Sequence, residues 1–159
     1  MELILWRHAD AEDAGPAGDA ARRLTRRGRR QAHRMAEWLR PRLGGDWRIV
    51  ASPAARAKET ADALELPYEV REPISTSATA AGVLREAGWP EGRNTLVVGH
   101  QPTLGEVAAL LLGGEAGEVA VRKGAILWFA QRRRDGRTET LLKVVLDPDM
   151  LEGPRTEAE

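Results

Sequence analysis

The chain has 159 residues, enough for one domain with a sizeable core, and its 24 basic and 24 acidic side chains give a formal net charge of zero. This balance provides no overall attraction to nucleic acid or to an anionic membrane, and no apolar run reaches the ~20 residues of a membrane span. The absence of cysteine excludes disulfides, thiolate catalysis and cysteine-based zinc sites. We therefore expect a cytoplasmic protein with a single domain over residues 1–150 and a C-terminal tail over residues 151–159.

The first predicted element is a short apolar strand that ends in an arginine and a histidine. Leu3 to Trp6 form a continuous apolar run, which is typical of a strand buried on both faces of a sheet, and Arg7 and His8 follow at once. Open α/β sheets bind ligands at the carboxyl ends of their strands, so we expect both side chains at the mouth of a pocket. The segment 9–21 is predicted to be a loop that lines this pocket.

A basic helix is predicted next, with Thr25 as its N-cap. Apolar residues at helical spacing mark a buried stripe, and Pro41 and the pair Gly44-Gly45 are expected to end the helix. We interpret its arginines as a solvated face, with an approach surface for an acidic partner as the alternative. These arginines are Arg26, Arg27, Arg29, Arg30 and Arg34.

A second strand, residues 47–51, leads into a segment that contains another arginine. Ser52 is predicted to cap the helix that follows, and Pro53 to be its first residue. This assignment places Arg56 in the first turn of the helix, close to the end of the strand. Its guanidinium is then within reach of the pocket that contains Arg7.

The middle of the chain leads to a second histidine at the end of a strand. Residues 68–71 predict a weak strand, residues 80–87 a short helix, and residues 95–99 a buried strand that is followed by His100. An apolar helix is predicted over residues 104–112. Its N-terminus is expected to direct free backbone N–H groups towards the pocket, where they would favour an anion.

The last third of the chain predicts antiparallel strands at residues 119–121, 125–130 and 140–146. The pair Asp135-Gly136 between the last two runs is a strong hairpin signal. Residues from Pro148 onward are predicted to form a tail that is frayed at residues 157–159. Together the elements predict an α/β fold: a three-layer sandwich with a mixed, mostly parallel central sheet flanked by helices, and an antiparallel C-terminal hairpin.

Four side chains, Arg7, His8, Arg56 and His100, converge on one edge of the sheet if its strands run parallel. This set suits the handling of a phosphoryl group, because arginine forks bind phosphate oxygens and a histidine can attack phosphorus to form a covalent intermediate. The attacking histidine must be neutral. The positive charges of the two arginines lower its pKa and favour the neutral form.

Two other chemistries are less favoured than phosphoryl transfer. A metal site would need the two histidines together with carboxylates such as Asp10 and Glu12, but the arginines in the same pocket would repel a cation. A Ser-His-Asp hydrolase is less favoured because the chain has no G-x-S-x-G elbow and Ser52 is assigned to a helix cap.

Three segments in this order resemble the histidine phosphatase superfamily, also called phosphoglycerate mutase-like. They are LWRHA at residues 5–9, SPAARAKET at residues 52–60 and VGHQP at residues 98–102. The short chain and LTRRG at residues 24–28 are similar to the compact SixA-like branch of phosphohistidine phosphatases. The resemblance implies a mixed, mostly parallel sheet between helices, and a reaction that needs no metal and no organic cofactor.

The resemblance also implies roles for individual residues. His8 is expected to be the nucleophile and transient phosphohistidine, and Arg7, Arg56 and His100 to complete the phosphate pocket. Arg22 lies where the compact branch often has an arginine that reaches the phosphate or the substrate.

The sequence departs from the family pattern in two places. Ala9 stands where many members have glycine, which the compact branch tolerates. Larger relatives carry a glutamate in the loop after the third strand that protonates the leaving group, whereas the segment 73–79 contains no carboxylate. Asp10, Glu12 and Glu72 are nearby, so the general acid is one of these or none, and an undemanding leaving group such as imidazole makes none necessary.

The function that the resemblance implies is a phosphatase acting through a phosphohistidine on His8, with a phosphorylated protein, such as a histidine-phosphorylated domain, as its partner. The chain lacks the long insertions that enclose small sugars in mutases, and an open pocket suits a protein substrate. The alternatives are a phosphatase of small phosphate esters and a non-catalytic phosphate-binding interaction module. We expect no nucleic-acid partner and no membrane partner.

Overall fold

The computed structural model describes residues 1–152, in which four α-helices and six strands alternate. The strands are β1 (Glu2–Arg7), β2 (Arg48–Ala51), β3 (Glu69–Val70), β4 (Thr95–Gly99), β5 (Ile126–Arg134) and β6 (Arg137–Leu146). The helices are α1 (Arg26–Leu39), α2 (Ala55–Asp62), α3 (Ala80–Ala87) and α4 (Thr103–Gly113). Among these residues, no helix is both long and apolar enough to cross a membrane.

All six strands form one sheet in the order β3-β2-β4-β1-β5-β6. The strands β3, β2, β4 and β1 run parallel, β5 is antiparallel to β1, and β6 is antiparallel to β5. The predicted mixed, mostly parallel sheet with an antiparallel C-terminal hairpin is therefore confirmed. The turn of this hairpin is at Asp135 and Gly136, which both have positive φ (52° and 74°), as a two-residue hairpin turn requires.

Helices cover both faces of the sheet, which confirms the three-layer sandwich. In β1, Ile4 and Trp6 point to one side and pack with residues of α1 and α2, whereas Leu3 and Leu5 point to the other side and pack with α3 and α4. All four side chains are fully buried. The uninterrupted apolar run of β1 thus follows from a strand whose alternate residues both face helices.

The start of α2 differs from the prediction. Ala54 is the N-cap residue, and no side chain caps the helix, which begins at Ala55. Ser52 follows β2 directly, and its backbone N–H continues the ladder to β4 by donating to the carbonyl of Val98 at 3.0 Å. The prediction that Ser52 caps this helix and that Pro53 begins it is wrong.

The predicted strand at residues 119–121 is also wrong, because the backbone of this segment bonds to two side chains and to the start of α4 and not to the backbone of a neighbouring strand. The carbonyl of Val119 accepts from the side chain of Gln101, and its N–H donates to the carbonyl of Gly105. The carbonyl of Val121 accepts from the guanidinium of Arg7. The segment therefore closes over the start of α4 and the end of β1.

The C-terminal part of the described chain is more ordered than predicted. Pro148–Leu151 form a 3-10 helix, and Leu151 packs against the core beneath α1. The prediction of a tail from Pro148 onward is therefore wrong for these four residues. The predicted fraying at residues 157–159 lies outside the described residues.

The start of α1 is held against the loop that follows β1. Thr25 caps the helix as predicted, accepting the N–H of Gly28 at 3.0 Å. Its own N–H donates to the carbonyl of Asp10 at 3.0 Å. The helix approaches this loop so closely that a Cβ added to Gly28 would overlap the carbonyl oxygen of Asp10. Glycine is therefore required here by the close contact between two backbone segments.

This contact predicts a stability loss for Gly28→Ala. The added methyl group must push the loop away from α1, and overpacking of this kind costs about 1–3 kcal/mol of unfolding free energy. Urea unfolding would measure the loss. Gly113→Ala is the matched control, because a Cβ at Gly113 meets nothing within 4 Å at the end of α4. Equal stabilities of the two variants would contradict the prediction.

Candidate active site

The two predicted strand-end histidines lie side by side because β1 and β4 are parallel neighbours. Arg7 is paired with Gly99 in this register, so His8 and His100 follow at the same edge of the sheet. The backbone N–H of His8 donates to the carbonyl of Gly99 at 3.0 Å, which extends the ladder by one residue. The ring centroids of the two histidines are 5.2 Å apart.

The hydrogen bonds of His8 define the tautomer of its ring. Its Nδ1 lies 2.8 Å from the carbonyl oxygen of Ala9. A carbonyl oxygen only accepts, so the neutral ring carries its hydrogen on Nδ1 and has a lone pair on Nε2. The side chain is only 5% exposed. The arrangement presents Nε2 as the reactive nitrogen.

Thr60 holds Ala9, the residue whose carbonyl orients His8. Its hydroxyl donates to the carbonyl of Arg56 at 2.7 Å and accepts the N–H of Ala9 at 3.1 Å. Thr60 is completely buried. The ring of His8 is therefore connected, through the carbonyl and the N–H of Ala9, to the helix that carries Arg56.

His100 contacts a serine rather than a carboxylate. Its Nε2 lies 2.7 Å from Oγ of Ser52, which also accepts the N–H of Ala54 at 3.2 Å. Both side chains are buried, Ser52 completely. The buried hydroxyl of Ser52 is not placed to attack a substrate, so this pair does not revive the serine hydrolase alternative.

Both imidazoles have pKa values far below the ordinary value for histidine. Burial is the main cause, since it penalises the charged ring, and it lowers the pKa of His8 to about 3 and that of His100 to about 4. The positive charges of Arg56 and Arg7 lower both values further. The predicted direction is thus confirmed for His8, but desolvation rather than the arginines is the larger effect.

Arg56 is in the first turn of α2, as predicted, and its guanidinium is almost completely buried. Its terminal nitrogens donate to the carbonyl of Asp19 at 2.9 Å and to the Asp19 carboxylate at 3.1 Å. Burial lowers the pKa of the Arg7 guanidinium, and the nearby positive charge of Arg56 lowers it further. Arg7 donates to the carbonyl of Val121 at 2.8 Å.

Arg22 lies beside this group and shares the same carboxylate. Its Nη1 is 3.2 Å from Oδ1 of Asp19, and its Nε donates to the backbone carbonyl of Glu12. The Asp19 carboxylate therefore bridges Arg22 and Arg56. The structure brings all five predicted residues, His8, His100, Arg7, Arg56 and Arg22, to one edge of the sheet.

Three buried nitrogens of this group have no hydrogen-bond partner among the described residues. They are Nε of Arg7, Nε of Arg56 and Nδ1 of His100. Two further nitrogens of this kind, on Arg34 and Arg40, lie on α1 or directly after it. Buried polar atoms without partners are costly in a folded protein, and the two arginine Nε–H groups are donors, so this group marks a place for an acceptor-rich ligand.

The carboxylates near the site are held in their ionised form. The Asp10 carboxylate accepts from the hydroxyl of Thr25 at 2.7 Å, and this bond, followed by the contact with Lys123, lowers its pKa. The pKa of Asp19 is lowered by hydrogen bonds from Arg22 and Arg56. The other two candidate acids, Glu12 and Glu72, have exposed side chains.

The start of α4 does not provide the predicted free N–H groups. The N–H of Leu104 donates to the carbonyl of His100 at 2.9 Å, and that of Gly105 donates to the side chain of Gln101 at 2.7 Å. The prediction that free N–H groups of this helix point into the pocket is wrong for these two. Within residues 1–152, no three His, Asp or Glu side chains are placed to hold a metal ion.

Sequence reasoning missed three residues that organise the site: Asp19, Thr60 and Ser52 in its observed role. Asp19 is in a segment without regular pattern, and its spacing of three residues from Arg22 is the one signal that it offered. Ser52 and Thr60 are the first and last residues of the segment 52–60, of which only Arg56 is predicted to reach the pocket. Small buried hydroxyl groups leave no mark in a hydropathy pattern, so their partners become visible only in the fold.

The pKa values of the two histidines predict how stability depends on pH. Between pH 6.5 and the lowered pKa of His8 at about 3, the unfolded chain binds a proton at His8 that the folded chain does not. Stability must therefore fall as the pH decreases below 6.5, by about 1.4 kcal/mol per pH unit for this group.

We expect wild-type protein to lose about 2 kcal/mol more unfolding free energy between pH 7 and pH 5 than the variant His8→Gln, which lacks the titrating ring. Urea unfolding at both pH values measures the difference. Equal losses in the two proteins would show that His8 titrates alike in the folded and unfolded states.

Comparison with known proteins gives one family. The model of the histidine phosphatase superfamily (branch 1) matches residues 3–78. The phosphohistidine phosphatase SixA of Escherichia coli K12 is 34% identical over 125 residues, which are 72% of this chain and 76% of that protein. The phosphohistidine phosphatase SixA homolog of Haemophilus influenzae is 33% identical over 129 residues, which are 71% of this chain and 78% of that protein.

Among solved structures, the protein histidine phosphatase SixA complexed with tungstate is similar with a TM-score of 0.78 and 28% identity. The similarity covers 96% of this chain and 100% of that chain. From the sequence similarity, the shared fold and the histidine pair at the edge of the sheet, we conclude that the chain belongs to the SixA-like branch of the histidine phosphatase superfamily and is a hydrolase.

Proposed function

We propose that the protein removes phosphoryl groups from phosphohistidine in proteins, through a covalent phosphohistidine on His8. The observation that carries this proposal is the neutral ring of His8, which has its hydrogen bonded to Ala9 and its Nε2 lone pair beside buried, unpartnered nitrogens of Arg7, Arg56 and His100. Nitrogen donors of this kind match the oxygens of a phosphoryl group. The proposed roles are nucleophile for His8 and phosphate ligands for the other three.

In the first step, Nε2 of His8 forms a bond to phosphorus while the bond from phosphorus to the substrate nitrogen breaks. The substrate imidazole, protonated on its other nitrogen, leaves as a neutral ring. Two arginines beside the phosphoryl group stabilise the charge on its oxygens, which is the main task in a loose phosphoryl transfer. Arg22, which shares Asp19 with Arg56, is proposed to contact the phosphate or the group that carries it.

In the second step, water forms a bond to phosphorus and the bond to Nε2 of His8 breaks. Because Ala9 retains the hydrogen on Nδ1, the phosphorylated ring is cationic and departs as neutral imidazole. The water proton passes to the product phosphate or to solvent. Neither bond cleavage requires a general acid on the enzyme.

The state of the carboxylates favours phosphohistidine over phosphate esters. A general acid for an alkoxide leaving group needs a pKa raised towards neutrality, whereas the pKa values of Asp10 and Asp19 are lowered. Imidazole is a much weaker base than an alkoxide and leaves without that help. The names of the E. coli and H. influenzae relatives, phosphohistidine phosphatase SixA and its homolog, support the same substrate class.

Two alternatives make different predictions. A phosphatase of small esters would turn over alkyl phosphates as fast as phosphoramidates. A binding module without catalysis would retain phosphate affinity but would not need a neutral nucleophile. The burial of His8 as an uncharged ring next to the arginines favours catalysis over binding, since a cationic histidine would bind phosphate more strongly.

Transient phosphorylation of His8 is the direct test. We expect intact-protein mass spectrometry after brief mixing with phosphoramidate or a phosphohistidine peptide, at neutral pH with EDTA present, to show one added phosphoryl group that is labile in acid. The variant His8→Ala should show no adduct and lose activity by a factor of at least about 10³. EDTA is included because the proposed chemistry uses no metal.

The matched control is His33→Gln, which removes the exposed histidine of α1 and should leave both adduct and turnover unchanged. Turnover that survives in His8→Ala would identify another nucleophile. Absence of both adduct and turnover in the wild type would favour the binding module.

Substitution of the carboxylates tests the proposed lack of a general acid. Asp10→Asn, Asp19→Asn, Glu12→Gln and Glu72→Gln should each keep the turnover number for a phosphohistidine peptide within about tenfold of wild type. A general acid contributes roughly 10²–10⁴-fold, so a loss of a hundredfold at one position would identify it. The amide of Asp19→Asn retains an oxygen that can accept from Arg56. The variant therefore removes the negative charge and the ability to transfer a proton, and keeps a hydrogen-bond acceptor.

A further inference from the structure

The two buried imidazoles have ring centroids 5.2 Å apart and differ in which nitrogen has no partner, and the difference at His100 comes from Ser52. In His8, Nδ1 is occupied by the carbonyl of Ala9 and Nε2 is free, whereas in His100, Nε2 is occupied by Ser52 and Nδ1 is without a partner. The hydrogen of His100 is on one of its two nitrogens. If the hydrogen is on Nδ1, this nitrogen donates a hydrogen bond; if it is on Nε2, the lone pair of Nδ1 repels an oxygen.

The hydrogen bonds of Ser52 limit the choice. Its Oγ accepts the N–H of Ala54, and among the described residues the one other group bonded to it is Nε2 of His100. If Nε2 carried the hydrogen, the hydroxyl would accept both bonds and its own O–H would have no acceptor. Ser52 is completely buried, so this arrangement would leave two buried groups without partners, the O–H of Ser52 and the lone pair of Nδ1, whereas donation by Ser52 leaves only the hydrogen on Nδ1.

We infer that the hydroxyl of Ser52 donates to Nε2 of His100 and so fixes the hydrogen of this ring on Nδ1. Ser52 is then a positioning residue: it touches neither the substrate nor the nucleophile, and acts through His100. The ring of His100 becomes a neutral N–H donor, and its centroid is 5.2 Å from that of His8, whose Nε2 has the lone pair. A donor here suits a phosphoryl oxygen, and a lone pair would repel it.

Burial makes this control necessary. A cationic imidazole would donate from both nitrogens whatever its neighbours, but burial keeps His100 uncharged, with a pKa of about 4. An uncharged ring has one hydrogen, and its location follows from its hydrogen-bond partners. No carboxylate is bonded to His100 among the described residues, so the serine hydroxyl performs the orienting task.

The tautomer can be measured directly at pH 7 by long-range ¹H–¹⁵N NMR on ¹⁵N-labelled protein. The chain has three histidines, and spectra of His33→Gln and His8→Gln assign the rings. We expect Nδ1 of His100 in the range of protonated nitrogens and Nε2 in the range of unprotonated ones, whereas in Ser52→Ala the Nε2-protonated form should gain population. A protonated Nε2 in the wild type, or an unchanged spectrum in Ser52→Ala, would overturn the inference.

Anion binding supplies the second measurement, with tungstate as a tetrahedral oxyanion probe in calorimetry. Loss of a fixed donor to a charged ligand should raise its Kd roughly tenfold to a hundredfold in Ser52→Ala. The matched control is Thr95→Val, which removes a buried hydroxyl from the opposite end of β4, where it donates to the carbonyl of Arg93. The control should keep the Kd within about twofold.

A Kd in Ser52→Ala that equals the wild-type value would contradict the positioning role even if the tautomer changes. The inference rests on the proposed function in one respect: that the Nδ1 hydrogen binds a phosphoryl oxygen. The NMR result is independent of turnover, so failure of the His8 adduct would reject the proposed function and leave the tautomer assignment standing, and the reverse also holds.

Discussion

The parallel pairing of β1 with β4 is the constraint on which the rest of the site depends. Two strands that run in the same direction and lie next to each other end at the same edge of the sheet. The residue after each strand is a histidine, so the backbone pairing brings the two rings to the same edge, with centroids 5.2 Å apart. The pairing of β2 with β4 adds α2 at the same edge, and with it Arg56. A shift of either register by one residue would turn one histidine towards the opposite layer.

Burial supplies the chemistry that this geometry needs. Desolvation keeps both imidazoles neutral, and the two arginines reinforce that effect while remaining charged themselves. Neutral rings must then be oriented through single hydrogen atoms. The carbonyl of Ala9 orients His8, Thr60 accepts the N–H of the same residue, and Ser52 contacts His100. Three uncharged groups therefore do the work for which many hydrolases use a buried carboxylate. The carboxylate that is present, Asp19, bonds to the arginines instead.

The quality of the sequence prediction varied with the range of the interactions involved. The bounds of α3, the cap at Thr25 and the Asp135-Gly136 turn were predictable because each depends on residues within one or two turns of chain. Residues 119–121 have the composition of a strand, but their backbone bonds to Gln101, Gly105 and Arg7, which lie far away in the sequence. Ser52 is a residue type that often caps helices, yet its backbone N–H bonds to β4 and its hydroxyl contacts His100.

The sequence by itself determined the α/β class, the two strand-end histidines and the arginines that accompany them, because apolar periodicity and residue chemistry are local properties of the chain. Only the tertiary structure decided which nitrogen of each ring is free, how strongly burial lowers the pKa of His8, and that Asp19 joins Arg22 to Arg56. The physical reason is that desolvation and hydrogen-bond partnership depend on which distant groups become neighbours. No pattern along one stretch of chain contains that information.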